Sequence, residues 1–537
     1  MIQPLRKRAT LEAPIYLLLA LAPLVVSACG RIDFNLLGGP PCSTDRDCDD
    51  ANACTDDACV TGACQHVDNT APCDDGDVCT VSDRCTLGVC GAGPATGCPA
   101  AVHVIDRSLG VGDGSALVAG SGALAIVGTT ATFATPLPAN IGIGDVLEYD
   151  SNGDGSPDAL AFVHQRLSAQ VYLVRDAAGA TPPPTTTSNT AWSMRRAYLS
   201  LADAVDSTAG GTHNPNVTAA AFDGYGSGRD LVANNEQWNF ACYDDGAIDT
   251  VGVSICSTAY TRSCSAGWTT DASHFLRTYT PTVTNEVGTS QRHHGTWGSG
   301  YRRSDGIIML EGFVHLDGMS IKHDAVGIGR MYYVETEGSG GDVWIANSFG
   351  WSTLQGDWKI YDIWDTGVAA TGAASTSYWL WNDIAYNETL TDPRSGFYLN
   401  SNRADAHVEN CTAYVMGGGA FYESSTARAT VTNSLGYSAA NPAFFADDGF
   451  QAVTNSVSND GSLDAIANGS SNAWGQSPAF VAVSTVDLHL DPTPGLNPSI
   501  RGKGVDLSAS TIPFSTDIDG DVRPTGAWDI GADQVAP

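Results

Sequence analysis

The chain has 537 residues, of which 26 are Lys or Arg and 59 are Asp or Glu, so its formal net charge is −33. So acidic a surface disfavours nucleic acid and bare anionic lipid as partners, because binding to either requires basic residues. The length exceeds that of one ordinary core, so we expect several domains or a repeat fold that grows by addition.

Residues 1–28 have the pattern of an export signal. Basic residues at positions 6 to 8 precede an apolar run, 13–26, that is too short for a permanent membrane span. The run ends in Val-Ser-Ala-Cys29, which resembles the lipobox of bacterial lipoproteins. The resemblance implies that Cys29 is acylated and anchors the chain at a bacterial outer membrane or cell surface. The alternative is plain secretion with Cys29 in a disulfide, but setting Cys29 aside leaves 14 of 15 cysteines, an even number.

A spacer, residues 29–41, leads to a module at residues 42–98 that contains ten cysteines. Its two tandem copies share Cys-Asp-Asp-x-x-x-Cys-Thr, beginning at Cys48 and at Cys73. Because large apolar side chains are few, we expect disulfides to hold the module together. The predicted disulfide cysteines here are Cys42, Cys48, Cys54, Cys59, Cys64, Cys73, Cys79, Cys85, Cys90 and Cys98, with their pairing left open.

Zinc is disfavoured as the stabiliser of this module, because CxxC pairs and suitably spaced histidines are missing. The repeats resemble the short Cys-rich repeats of slime-mould matrix proteins, which also occur in surface proteins of predatory soil bacteria. That resemblance implies a stalk or an adhesive spacer.

Residues 101–180 are expected to be a β-rich segment, because short apolar runs alternate with turn residues. One turn has oxygen side chains at positions 1, 3, 5 and 9 and Gly at position 6, as in the first part of a calcium loop. The predicted calcium ligands are Asp150, Asn152, Asp154, the carbonyl of Ser156, and Asp158. Position 12 is Ala161 instead of the EF-hand Glu, so the loop resembles shorter Asp/Asn loops of extracellular bacterial proteins. A turn without a cation is the alternative.

Residues 192–490 are predicted to form one repeat domain, in which the pattern is regular from Gly396 to Asn459 and irregularly spaced before it. Asn410, Asn433 and Asn455 are 23 and 22 residues apart, each preceded by Val-x. A second mark keeps the same period at Phe397, Phe421 and Phe444. A repeat of about 20–25 residues predicts stacked coils, and the Val/Thr/Ala alternation predicts strands. Asn tolerates left-handed angles at a corner and can bond the Asn of the next coil.

The predicted fold class is therefore all-β: a right-handed parallel β-helix preceded by a small disulfide-rich module and a β-rich segment. A β-sandwich is the alternative, but it would not explain two marks in phase. Asn347, Asp362 and Asn382 are interpreted as earlier corners. Residues 193–205 have an apolar face at helical spacing and are predicted to be a helix that covers one end of the coils.

Outside the N-terminal module, four cysteines remain. Cys256 and Cys264 lie eight apart in a polar loop and are predicted to pair. Cys242 and Cys411 are then left over, and the sequence does not decide whether they meet.

Residues 491–537 contain Asp519-Gly-Asp-Val-Arg-Pro and Asp529-Ile-Gly-Ala-Asp, and Asp487-Leu-His-Leu precedes them. Together these motifs resemble the ending of bacterial choice-of-anchor Q domain proteins, surface β-helix proteins with varied means of attachment. Asp517, Asp519 and Asp521 either bind a cation or form the turn that ends the last coil.

The predicted fold also resembles pectin-lyase-like proteins, so a polysaccharide lyase or glycoside hydrolase is the alternative function. Elimination requires a base with a cation or Arg, and hydrolysis requires two carboxylates. Lys322-His323-Asp324, Arg330, Asp317, Asp342, Asp362 and the Arg292-His293-His294 segment are available, but none forms a family signature.

Half of the twelve tryptophans lie between Trp344 and Trp381. Aromatic faces stack on sugar rings, so Trp351, Trp358 and Trp381 are predicted to bind carbohydrate. Internal stacking between coils is the alternative. The sequence thus predicts a lipid-anchored surface protein that binds a polysaccharide or another surface glycan, leaning away from catalysis, with calcium as a structural cofactor.

Overall fold

The computed structural model describes residues 42, 44–48, 54–73, 84–86, 89–91, 101–121, 124–185, 191–226, 228–258, 266–323, 330–336, 340–353, 359–365, 376–389, 396–402, 404–424 and 428–535. The chain divides into two compact units, residues 1–101 and 102–537. In the described part of either unit, no helix is both long and apolar enough to cross a membrane. The lipidation prediction at Cys29 falls outside these residues.

The first unit is small and cross-linked. It contains a 3-10 helix at Asp45–Cys48 and antiparallel hairpins of Thr55–Val60 with Ala63–Asp68 and of Arg84–Thr86 with Val89–Gly91. Its disulfides are Cys42–Cys59, Cys48–Cys64 and Cys54–Cys85, and Cys73 is also disulfide-bonded. The prediction of a disulfide-rich module is confirmed in this part. Cys79 and Cys98 lie outside the described residues, as does the side chain of Cys90.

A seven-stranded antiparallel sheet lies near the start of the second unit. Its strands are Val118–Ser121, Leu124–Val127, Thr130–Phe133, Val146–Tyr149, Ala159–Arg166, Val171–Arg175 and Ala191–Arg195. Phe133, Tyr149, Tyr172 and Trp192 are buried in its own apolar cluster. In segments such as Leu124–Val127, buried and exposed side chains alternate, which is the pattern of a strand with one face on an apolar core.

The predicted helix at 193–205 is shorter than expected. Residues 191–195 are a strand, in which Trp192 and Met194 are buried on one face. The helix is Leu201–Val205, and the Oγ of Ser200 caps it by accepting from the N–H of Asp203 at 3.0 Å. The cap fixes the start, because Ser at this position satisfies a free N–H of the first turn. A second short helix is Leu231–Asn234.

Three parallel sheets follow, and we name them A, B and C. Sheet A contains His103–Gly110, Glu236–Tyr243, Leu276–Tyr279, Val314–Asp317, Val343–Ala346, Ser377–Trp381, Asp405–Glu409, Ala429–Thr432, Ala452–Thr454 and Gly469–Ser470. Sheet B contains Ile248–Asp249, Arg302–Arg303, Ser320–His323, Phe349–Ser352, Ile384–Asn387, Thr412–Val415, Leu435–Ser438 and Val457–Ser458. Sheet C contains Val253–Ile255, Ile307–Met309, Arg330–Val334, Lys359–Asp365, Phe397–Ser401, Phe421–Glu423 and Phe444–Ala446. From residue 236 to 458 the chain visits A, B and C in rotation.

The first strand of sheet A, His103–Gly110, pairs in parallel with Glu236–Tyr243. The antiparallel sheet is therefore an insertion between two adjacent strands of sheet A. The boundary drawn from the sequence placed this strand in the 101–180 segment, because its local pattern is the same in either sheet.

Smaller elements complete the described chain. Gly228–Asp230 pairs in parallel with Gly267–Thr269, and Phe480–Ala482 pairs in antiparallel with Asp487–Leu490. Short 3-10 helices are found at Ser462–Ala465 and Val483–Thr485.

An in-register column of rings lies in the apolar core between the three sheets. Tyr332, Tyr361, Phe397, Phe421 and Phe444 stack with centroid separations of 4.7, 4.5, 5.0 and 4.8 Å. The second mark of the sequence repeat, Phe397, Phe421 and Phe444, is therefore part of this internal stack.

The corner between sheets A and B is a ladder of asparagines. Asn347, Asn382, Asn410, Asn433 and Asn455 have φ between 49° and 55°, the left-handed region that Asn tolerates. Asn382 donates to Asn347 at 3.0 Å, and Asn433 donates to Asn410 at 3.1 Å. The predicted corner role is confirmed for these five positions.

Asp362 was wrongly interpreted as a corner, since it lies in the sheet C strand Lys359–Asp365. The coil before Asn347 instead turns at Gly318, with φ of +83°. Gly adopts this angle without a Cβ clash, so this corner carries no Asn to mark it.

The C-terminal segment covers the outer side of sheet B. Leu488, Leu490, Ile518 and Ile530 form an apolar cluster with side chains of sheet B such as Leu435. The motifs that end the sequence therefore cap a sheet side that would otherwise expose apolar residues.

Candidate functional site

The outward side of sheet A presents a group of rings that we call the aromatic face. Its members are His315, Trp344, Trp379, Trp381 and His407. The neighbours Val343, Ile345 and Leu380 point into the core. Alternation along each strand thus sends every second side chain outward.

The rings of the aromatic face stack in pairs. His315 lies 3.8 Å from Trp344, with 4° between the planes, and Trp379 lies 4.0 Å from His407 at 17°. Trp344 also contacts Trp381 edge-on at 6.0 Å. The stacks hold the rings in fixed orientations.

Both histidines of this face are neutral at neutral pH. Burial lowers the pKa of His315 to about 3, and Arg277 adds to the effect. Burial also lowers the pKa of His407. Uncharged imidazoles next to indoles give a flat, nearly apolar surface.

Polar groups border the aromatic face. Glu409 is paired in register with Trp381, and burial raises the pKa of Glu409 to about 7. His407 bonds the Oγ1 of Thr430 at 2.9 Å. The Nε1 of Trp344 is buried and has no hydrogen-bond acceptor among the described residues. Rings beside hydroxyl, carboxyl and N–H groups suit a ligand that has both apolar faces and hydroxyls, such as a sugar.

The three tryptophans predicted to bind carbohydrate are not brought together. Trp381 belongs to the aromatic face and stacks against Phe514 at 6.1 Å. Trp351 lies on sheet B, where its Nε1 donates to Glu388 at 2.7 Å and the Nζ of Lys322 lies 4.2 Å above its ring. Trp358 lies outside the described residues.

Sequence reasoning missed Trp344, Trp379 and His407, although a signal was present. Each lies three residues before a corner Asn, at 347, 382 and 410. Aligning the coils on the corner asparagines therefore places these rings in one column, as the register shows.

A cluster of charges and rings lies on the outward side of sheet C. The Oδ2 of Asp362 is 3.0 Å from Arg330 Nε and 3.6 Å from Lys359 Nζ. Lys359 lies 4.1 Å above the ring of Tyr398. Asp362 and Lys359 are 0% and 3% exposed, so this cluster is packed rather than open.

The carboxylates considered for hydrolysis do not form a pair. Asp317 contacts Arg292 at 2.5 Å at the end of a sheet A strand, Asp362 lies on sheet C, and Asp342 accepts from the N–H of Ser377 at 3.0 Å. Asp324 lies outside the described residues.

The loop predicted to bind calcium joins two adjacent antiparallel strands and is bonded to itself. Asp150 accepts the N–H groups of Gly153 and Gly155 at 2.6 and 2.7 Å, and Asn152 donates to Asp158 at 2.7 Å. Burial opposes the effect, but these N–H groups hold the pKa of Asp150 below its usual range. The oxygen donors suit calcium, and each carboxylate oxygen retains a second lone pair.

The described cysteines of the second unit differ in whether they form a disulfide. Cys256 is disulfide-bonded, and its predicted partner Cys264 lies outside the described residues. Cys242 and Cys411 are buried free thiols, and burial raises their pKa values. Their thiols are therefore protonated and unreactive at neutral pH.

Open clefts lie elsewhere in the second unit. One of 790 Å³ is lined by His213, Phe222, Arg229 and Glu236, and Arg229 and Glu236 bond each other at 2.6 Å. The aromatic face follows several coils, and within it Trp344, Trp381 and His407 are partly exposed, whereas His315 and Trp379 are 9% and 7% exposed.

Comparison of the chain with protein-family models, with curated proteins and with solved structures found no match.

Proposed function

We propose that this chain is an exported, lipid-anchored surface protein of the choice-of-anchor Q type, whose three parallel sheets wind as a right-handed parallel β-helix that binds a polysaccharide. The rotation through sheets A, B and C and the ladder of corner asparagines support this winding. The first unit, with its disulfides, acts as the spacer between the anchor and the β-helix.

The binding surface in this proposal is the aromatic face. The observation that carries it is the register of Trp344, Trp379 and His407 on consecutive strands. A row of rings along a rigid stack of coils suits an extended polymer better than a small molecule. A net charge of −33 favours neutral glycans over polyanions.

The experiment measures binding of soluble neutral polysaccharides, with polygalacturonate as the anionic comparison, by calorimetry. Trp344→Ala and Trp381→Ala, which remove the two partly exposed indoles, are expected to weaken binding at least tenfold, which is about 1.4 kcal/mol. Trp474→Ala is the matched control, since Trp474 is 48% exposed and is not a member of the face. Circular dichroism and melting verify that each variant is folded. Unchanged binding by both variants would contradict the proposal.

The alternative function, a polysaccharide lyase or hydrolase, has one observation in its favour: Lys359, Arg330 and Asp362 combine cations and a carboxylate on an outward side. The same polysaccharides are monitored for unsaturated and reducing ends with calcium present. Steady cleavage that is lost in Lys359→Met would favour the enzyme over the binding protein.

Lipidation of Cys29 is part of the proposal and has its own test. Intact-mass measurement of membrane-purified protein is expected to show a mature N-terminus at Cys29 with acyl chains attached. An unmodified N-terminus at another residue would contradict the anchor while leaving the glycan-binding face untouched.

A further inference from the structure

The C-terminal segment brings three side chains from separate places together. His489 lies on the strand Asp487–Leu490, Asp519 lies in the turn that follows Asp517, and Asp533 lies near the end of the described chain. One ring nitrogen and one oxygen from each carboxylate all lie within 4.8 Å of one another. The Nε2 of His489 is 3.1 Å from the Oδ2 of Asp519. Ligands in the first shell of a tetrahedral ion are separated by about 3.3 Å when each bond is near 2.0–2.1 Å.

Each member of this set is oriented by a bond on its other side. The Nδ1 of His489 is 2.6 Å from the Oδ1 of Asp487. One oxygen of Asp533 accepts the N–H of Leu490 at 2.7 Å. The turn around Asp519 is shaped by Asp517, which accepts the N–H of Asp519 at 3.0 Å. A carboxylate behind a histidine that faces other ligands is the usual outer shell of a metal site.

The surroundings of the set are acidic. The carboxylates of Asp487, Asp517, Asp519 and Asp533 lie around it, and the side chains of His489 and Arg523 oppose them. Such a cluster of carboxylates attracts a cation.

The loop that contains His293 and Gly295 packs against His489. Gly295 has φ of +63°, and a Cβ there would lie 2.7 Å from the Nε2 of His489. Burial lowers the pKa of His293 to about 3, so this fully buried ring is neutral. His293 accepts the N–H of Gly295 at its Nδ1 and has no partner at its Nε2 among the described residues. The charge of Asp519 acts on this ring.

We propose that His489, Asp519 and Asp533 form a site for a divalent transition metal, with Asp487 as the residue that orients the histidine. One imidazole and two carboxylates suit zinc or manganese, whereas calcium prefers an all-oxygen shell of six to eight ligands. The side chains of His489 and Asp519 are 17% and 23% exposed, so an ion can enter from solvent and keep a water ligand.

Without the ion, the two ring nitrogens of His489 contact the carboxylates of Asp487 and Asp519. The bound ion links the strand Asp487–Leu490 to both aspartate-bearing segments, and so fastens the C-terminal segment over sheet B.

The test uses the full chain, stripped with EDTA and titrated with zinc or manganese chloride by calorimetry. One ion is expected per chain, and the melting temperature is expected to rise when the ion binds. His489→Gln and Asp519→Asn are each expected to weaken binding at least tenfold. His274→Gln is the matched control, because Asp271 bonds the Nδ1 of His274 at 2.7 Å but its Nε2 faces the amide oxygen of Asn235.

Circular dichroism shows whether each variant is folded. If His489→Gln does not fold, the zinc affinity of Asp519→Asn, which keeps the histidine, tests the proposal. Zinc binding that persists in both folded variants would overturn the proposal. So would a wild-type chain that takes up no saturable ion, since His489 would then be only an ion-paired residue.

Discussion

The Nη2 of Arg523 donates to the Oδ1 of Asn382 at 3.0 Å, which joins the C-terminal segment to the ladder of corner asparagines. Arg523 is 4% exposed and also donates to the carbonyls of Gly531 and Ala532 at 3.2 and 2.9 Å. Asn382 in turn donates to the carbonyl of Thr516 at 2.8 Å. A single guanidinium thus satisfies acceptors from the last turn and from the corner together.

Arg523→Met is expected to destabilise the fold by about 2–4 kcal/mol, because buried acceptors lose their donor and nearby carboxylates lose their counter-charge. Thermal and denaturant unfolding measure the loss. Arg501→Met is the control, since Arg501 makes only a 3.3 Å exposed bond to the carbonyl of Pro492. Equal, small effects in both variants would show that the Arg523 bonds contribute little.

Asn433→Ala is expected to cost about 2–3 kcal/mol, because it loses the ladder bonds and places Ala at a φ of 52°. Asn433→Gly loses the same bonds but fits the backbone angle, so its cost should be smaller by about 1 kcal/mol. Denaturant unfolding of the two variants separates the backbone contribution from that of the bonds. The opposite order of stability would contradict the corner role.

Glu311 predicts a pH dependence of stability. Burial raises its pKa from 4.5 to about 8, although bonds from Ser257 and Thr270 act against the shift. Between these values the unfolded chain has released the proton and the folded chain has kept it. Stability therefore falls as pH rises through this range, by up to about 1.4 kcal/mol per pH unit from this group.

Glu311→Gln removes that dependence. The variant is expected to melt higher than wild type at pH 8 and no higher at pH 4, where the glutamate is protonated in both states. The measurement is the difference in melting temperature between the two proteins across this pH range. A difference that stays constant with pH would mean that Glu311 is ionised in the fold.

The loop at Asp150 predicts a calcium effect. Asp154→Ala is expected to lower the melting temperature only when calcium is present, because the lost side chain is a ligand of the ion. Asp176→Ala is the control, since the Oδ1 of Asp176 accepts two turn N–H groups at 2.9 and 2.8 Å without a neighbouring set of oxygens. Equal losses with and without calcium would show that the loop is a turn alone.

The sequence was informative where a property is local and repeated. Asn is one of the few residues that tolerate the left-handed backbone angle of a corner. Because similar coils stack on one another, Asn recurs at a regular spacing, and that spacing identified the corners. Asp362 shows the limit: a polar residue in a plausible place looked like a corner, yet Arg330 and Lys359 stabilise it on a strand.

Contacts between residues far apart in the sequence could not be predicted in the same way. His489 and Asp519 are 30 residues apart, and Asp533 is farther along, with no spacing that marks a shared site. The Arg292-His293-His294 segment and the closing aspartates were recognised singly, but only the folded C-terminal segment brings them near each other. For the same reason the free Cys242 and Cys411 were left open, since pairing depends on three-dimensional distance.

The placement of the antiparallel insertion has a consequence for the order of folding. The bond from Asn239 to Asp106, at 2.9 Å, joins residues 133 positions apart. From Glu236 onward, each coil adds to its predecessor through contacts of short sequence separation, which form quickly. The strand His103–Gly110 instead gains its partner only after the whole insertion has been synthesised, and its closure carries the entropy of a long loop. The first strand of sheet A in the chain is thus expected to be among the last to dock, onto an edge that the later coils have already built.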